Sequence, residues 1–339
     1  MNPISALPAA IGLLPVLVFL AVLLFYDSYK LVKLRAVIAV IVAGAGVAGI
    51  CYYLNGMVIE RSEIDFASFS HFVAPFIEEL LKGLIVFFLI RLRRIGFLID
   101  AAIFGFAVGA GFAVVENAYY YVARLSVDVG IGTWIIRGFG TAIMHGGTTA
   151  VFAIISVNRI ERSNANWLIA LLPGYLLAVV IHSAYNLSFL PPIYTALIVL
   201  VTLPMLLFVI FQRSEKSIGE WLGTGFDADA EVLRLINSGK LTDSPLGTYL
   251  SALKEKFTGP MIADILCYIR LHSELALRAK GLLIMRESGF DVPIDDETRS
   301  KFDELQYLQQ SIGKTGQLAI QPMLHLSHKD LWQLYMLGK

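Results

Sequence analysis

Seven apolar runs, at about residues 8–26, 35–54, 72–90, 96–121, 136–157, 166–188 and 193–212, limit what this chain can fold into. Each is roughly 18 to 25 residues long, which at 1.5 Å per helical residue matches a hydrocarbon core about 30 Å thick. Backbone groups in lipid have no water to bond to, so runs of this length specify helices. Of the 339 residues 57% are hydrophobic and 16% charged, where soluble domains carry about 25% charged residues. The expected fold is an all-α polytopic membrane bundle of about seven spans, with the lipid bilayer as its first partner. A formal net charge of zero gives no basic field to attract nucleic acid.

Loop charges orient the bundle. Lys30, Lys33 and Arg35 follow the first run, Arg91, Arg93 and Arg94 the third, Arg159 and Arg162 the fifth, and Arg213 and Lys216 the seventh. The alternate loops are acidic or nearly uncharged, as at Glu60, Glu63 and Asp65. The positive-inside rule then places the N-terminus outside and the C-terminus in the cytoplasm. No Lys or Arg precedes the first run and no small-residue cleavage site closes it, so it is expected to stay as a span.

From about residue 213 the pattern changes to short amphipathic stretches of ordinary charge. Ser244-Pro245 reads as an N-cap with a first-turn proline, Asp295 or Asp296 as the cap of the helix that follows, and Ser327 with Asp330 as a capping box. The expected division is a transmembrane domain over 1–212, with its motifs at about 72–190, and a cytoplasmic helical domain over 213–339. Cys51 and Cys267 form no C-x-x-C pair and imply no disulfide framework.

Four polar clusters interrupt the apolar runs: Glu78-Glu79-x-x-Lys82, Phe112-x-x-x-Glu116-Asn117, His145, and His182-x-x-x-Asn186. An ionisable group in hydrocarbon costs about 2.5 kcal/mol or more, so several of them together point to a function. Counted along the spans, they fall in one layer roughly 8 to 14 Å below the outer surface. Residues four apart on a helix share a face, so Glu78 is expected to pair with Lys82 while Glu79 points about 100° away, open to a second group. As a structural pair this would lock two helices; Lys82 can neutralise only one carboxylate, however, and the other needs a donor, a metal or a proton. Gly105, Gly109 and Gly111 read as helix-packing positions.

Two histidines and a glutamate form the ligand set of hydrolytic zinc sites, with a fourth position left for water. Glu116, His145 and His182 are the expected set for such a metal. A glutamate base with His and Asn donors could equally hydrolyse an amide without metal. The spacing is not that of the helical H-E-x-x-H signature, so both chemistries stay open.

At these residues the chain resembles the PrsW family of intramembrane proteases, related to the CAAX prenyl endopeptidases and their bacterial relatives. The matching elements are FIEELLKG, GFAVVENAYYY, the His145 segment and HSAYN, in order, each in its own span. The resemblance implies peptide-bond hydrolysis in or beside a membrane, taken here as the bacterial inner membrane, with membrane-anchored regulators such as anti-sigma factors as substrates. It implies a catalytic group of Glu78, Glu79, Glu116, His145, His182 and Asn186, supported by Lys82, Phe112 and Asn117. Glu78 would be the water-activating glutamate, and His182 with Asn186 would stabilise the oxyanion. Glu116 falls where the prenyl endopeptidases place a histidine, and a second carboxylate there favours a bound cation or a raised proton affinity. Two other classes are weighed against this one. A proton-coupled transporter predicts inverted repeats and broken spans, which the sequence lacks; a non-catalytic sensor acting through its C-terminal domain would survive loss of both Glu78 and His182.

Overall fold

The computed structural model describes residues 3–27, 29, 31–123, 130–162, 167–290, 292–320 and 324. Among them there is no strand, and the chain divides into two compact units, Met1–Ser214 and Glu215–Lys339. The first unit is built from α1 (Pro3–Phe25), α2 (Leu34–Arg61), the single turn α3 (Phe66–Ser68), α4 (Ala74–Arg91), α5 (Leu98–Ala123), the short α6 (Ile131–Ile135), α7 (Ala142–Arg162), α8 (Trp167–Leu187) and the start of α9 (Pro192–Asn237). Six stretches among the described residues are long and apolar enough to cross a membrane: α1, α2, α5, Ile131–Ile160, α8 and α9. The remaining apolar run of the sequence is α4, whose 18 residues carry Glu78, Glu79, Lys82 and Arg91. The fold is thus the expected all-α membrane bundle, and α4 is the helix whose charges must be answered from inside it.

α5 is the central post. It is buried continuously from Ile99 to Ala113 and packs against α7 on one side and α2 on the other. Small residues make this possible. A Cβ at Gly105 would strike the backbone of Thr149 and Ala150, one at Gly109 the carbonyl of His145, and one at Gly111 the carbonyl of Ile41. Close packing through glycine therefore sets the height of His145 against α5, which is how an apolar packing motif positions a polar side chain.

Two π-helical segments, Phe69–Val73 before α4 and Ile136–Thr141 before α7, lead into the helices that carry Glu78, Glu79 and His145. Such insertions in α-helices occur frequently at functional sites. The first is anchored by Asp65, which accepts the Ser68 amide at 3.0 Å; this bonding holds its carboxyl below the usual carboxylate range.

The second unit is helical too, with α10 (Pro245–Leu253), α11 (Gly259–Glu287) and α12 (Asp296–Ile320). Ser244 Oγ accepts the Gly247 amide at 3.1 Å with Pro245 in the first turn, and Asp295 accepts the Thr298 amide at 2.6 Å, so both caps form as their sequences specify. α12 breaks at Gly313, whose φ of 61° and ψ of −175° suit glycine alone. Lys280 is buried against Asp229 at 2.6 Å, with the Trp221 ring beside its ammonium. Hydrogen bonds from Lys301 and Arg278 hold the Glu297 carboxyl below its usual range. The capping box expected at Ser327 and Asp330 lies outside the described residues.

Candidate active site

α4, α5, α7 and α8 bring the expected polar residues into one connected network. Glu79 is its anchor, buried to 3% exposure. Its Oε1 accepts from Lys82 Nζ at 2.6 Å, from His182 Nδ1 at 2.8 Å and from Thr148 Oγ1 at 3.2 Å. Because a carboxylate only accepts, His182 carries its proton on Nδ1. Its Nε2 is left with the lone pair and lies 3.8 Å from Glu78 Oε2.

Lys82 therefore pairs with Glu79 rather than with Glu78. Spacings of three and four both share a helix face, so sequence could not choose between them. The environment chooses: Glu79 points into the bundle with the fully buried Lys82, while Glu78 borders a cavity with its side chain 14% exposed. Glu79 does bind a second group, as expected: His182, with Thr148 beside it, meets the same oxygen as Lys82.

His145 is gripped from both ring nitrogens. Lys82 Nζ lies 3.2 Å from Nδ1 and Glu116 Oε2 lies 2.8 Å from Nε2. An ammonium can only donate, so Nδ1 accepts from Lys82 and the Nε2 proton is donated to Glu116. Phe112 packs against this group, its ring 4.9 Å from His145 and 4.9 Å from the Lys82 ammonium, a cation–π contact in a buried setting. The His145 and His182 rings meet edge to face at 4.8 Å.

Glu116 is held by a cation absent from the expected site. Arg137 donates to Glu116 Oε1 at 2.9 Å and, through Nε, to Asn117 Oδ1 at 2.9 Å. Asn117 in turn donates to the Gly12 carbonyl at 2.7 Å, so it ties α1 to the Arg137 segment rather than facing the histidines. Asn186 lines the cavity and gives an N–H to the Ser70 carbonyl at 2.9 Å, bracing the first π segment.

A cavity of about 240 Å³ opens onto Glu78, Glu116, Thr141, His145, His182 and Asn186, walled by Phe66 and Phe69. Within it Glu78, His145 and His182 each offer a ligand atom, all within 4.8 Å of one another. Sequence had grouped Glu116 with the two histidines; in the structure Glu78 lies within this reach of both, while Glu116 lines the same cavity, bonded to His145 Nε2 at 2.8 Å and to Arg137 at 2.9 Å. Two imidazoles and a carboxylate are a donor set that suits zinc. His182 already has the carboxylate on its far nitrogen that metal-binding histidines use. For Nε2 of His145 to ligate, the ring would have to carry its proton on Nδ1 instead, and Lys82 would have to release its bond there.

Asn55 and Thr148 complete the site and were not singled out from sequence. Asn55 Nδ2, from α2, donates to Glu78 Oε1 at 3.1 Å. Asn55 lies just past the apolar run at 35–54, on the same helix, where an amide does not stand out from the sequence; Thr148 and the role of Arg137 carry no signal either.

Fold and site together define a polytopic membrane protein with a hydrolase-type His/Glu cluster buried among its helices. The chain belongs to the PrsW family of intramembrane metalloproteases, whose family model matches residues 32–211, a stretch that contains every residue of the network except Gly12. No curated protein and no solved structure matches the chain. Membership makes it an intramembrane protease in general terms, of a family described as metal-dependent.

Proposed function

We propose that the chain is a zinc-dependent endopeptidase that cuts a peptide bond of a membrane-anchored protein, with Glu78, His145 and His182 as the metal-holding residues. The observation that carries this reading is the convergence of those three donors on one cavity. A bound zinc would polarise the scissile carbonyl and lower the pKa of attacking water toward neutrality. Glu79 orients His182 through Nδ1 and, with Lys82, keeps its own charge answered. Glu116, anchored at Oε1 by Arg137, would take the proton of the attacking water at Oε2, the oxygen left free once His145 Nε2 has lost its proton, as the new C–O bond forms. It returns that proton to the leaving nitrogen as the C–N bond breaks. Asn186 keeps a second N–H for the oxyanion. The relation to the prenyl endopeptidases belongs to this proposal, as does a regulator of the anti-sigma type as substrate.

The expected result is that the purified protein, in vesicles with single-span test substrates, cleaves one of them, stops when a strong chelator strips the metal, and resumes when zinc is returned. Cleavage that persists after complete metal removal would instead support Glu78 as a metal-free base. The same proposal places the protein in a bacterial inner membrane with its N-terminus outside and residues 213–339 in the cytoplasm, from the basic loops. A reporter fused to the C-terminus should be active only when it is cytoplasmic-type; activity of a periplasm-specific reporter there would reverse the orientation.

A further inference from the structure

We infer that Asn55 is a positioning residue of the hydrolytic site, holding the Glu78 carboxylate for the metal; this rests on the zinc-protease reading above. Glu78 is the least supported of the three carboxylates in the network. Glu79 is fixed by Lys82, His182 and Thr148, and Glu116 by Arg137 and His145, whereas among the described residues the one hydrogen bond to Glu78 comes from Asn55 Nδ2 at 3.1 Å. Asn55 comes from α2, which packs on both α4 and α5, and it lines the same cavity.

The other half of the amide identifies its purpose. Among the described residues, Asn55 Oδ1 is buried with no hydrogen-bond partner. An unmet buried acceptor works against folding, and an apolar side chain of the same shape would remove it at the cost of the bond to Glu78. The amide cannot turn over to relieve this, because Oδ1 would then face the Glu78 oxygen with two acceptors in contact. Asn55 thus gives up part of its bonding capacity to keep an N–H on Glu78. Ligating carboxylates are ordinarily hydrogen-bonded by outer groups, and losing such a partner weakens metal binding by about 10- to 100-fold.

The test compares wild type with Asn55→Leu, which is close in shape, and with Asn55→Ala as a second variant. Zinc affinity is measured by competition with a chromogenic chelator in detergent, and stability by thermal melting of the helical signal. The expected result is a zinc affinity about 10- to 100-fold weaker in both variants, with the Asn55→Leu melting temperature close to that of wild type, because the unmet acceptor removed offsets the bond lost to Glu78. Variants that bind zinc as wild type does, or an Asn55→Leu protein that melts early while its folded fraction keeps full affinity, would overturn the inference and leave the protease reading standing. A wild-type protein that neither binds zinc nor cleaves would overturn both.

Discussion

Glu78→Gln protein is expected to fold and insert normally, yet to lose its bound metal and with it cleavage, by about 10⁴-fold or more if only the uncatalysed background remains. Glutamine keeps the shape of the side chain and its contact with Asn55, but a neutral amide lacks the negative charge with which a carboxylate ligates zinc. Glu116→Gln separates the roles. It should retain metal, since Glu78, His145 and His182 supply the donors, while cleavage falls by about 10² to 10⁴, the range for removing a positioned proton carrier. Metal retained in Glu78→Gln and lost in Glu116→Gln would exchange the two assignments.

The largest effect on stability is expected from Lys82→Met. Lys82 is fully buried and its Glu79 partner has a side chain 1% exposed, so the change leaves an unanswered carboxylate inside the bundle. Breaking a buried pair from one side costs about 3–5 kcal/mol, which for a unit of this size lowers the melting temperature by about 10 °C. The double variant Lys82→Met with Glu79→Gln removes both charges and should recover much of that loss. It should not recover metal binding, because a glutamine no longer presents a carboxylate to His182 Nδ1. A single variant melting within about 2 °C of wild type would show that Glu79 does not depend on Lys82.

The contrast between these two carboxylates also marks how far the sequence could be read. Long apolar runs and the cost of bare backbone in lipid lead directly to the helical bundle, and Ser244 and Asp295 cap the helices their sequences announce. Polar groups at equal depth in four spans lead to a shared site. What a linear pattern does not contain is rotation about each helix axis relative to its neighbours. Glu78 with Lys82 and Glu79 with Lys82 are both acceptable helix pairs, and only the packing of α7 and α8 turns Glu79 inward to Thr148 and His182. In the same way Asn117 looks like a neighbour of the histidines but spends its amide on Gly12 and Arg137. Glu116 is shared between His145 and Arg137, a residue whose position near a span end gave no hint of that partner.

The most direct test of the central claim is the metal content of the wild-type protein, purified without chelators or affinity metals and measured by elemental analysis alongside His182→Ala. The account predicts about one zinc per active chain in the wild type and almost none in the variant, because His182 presents its free Nε2 to the cavity only while Nδ1 is held by Glu79. A wild-type protein that cleaves its substrate with no stoichiometric metal bound would contradict it.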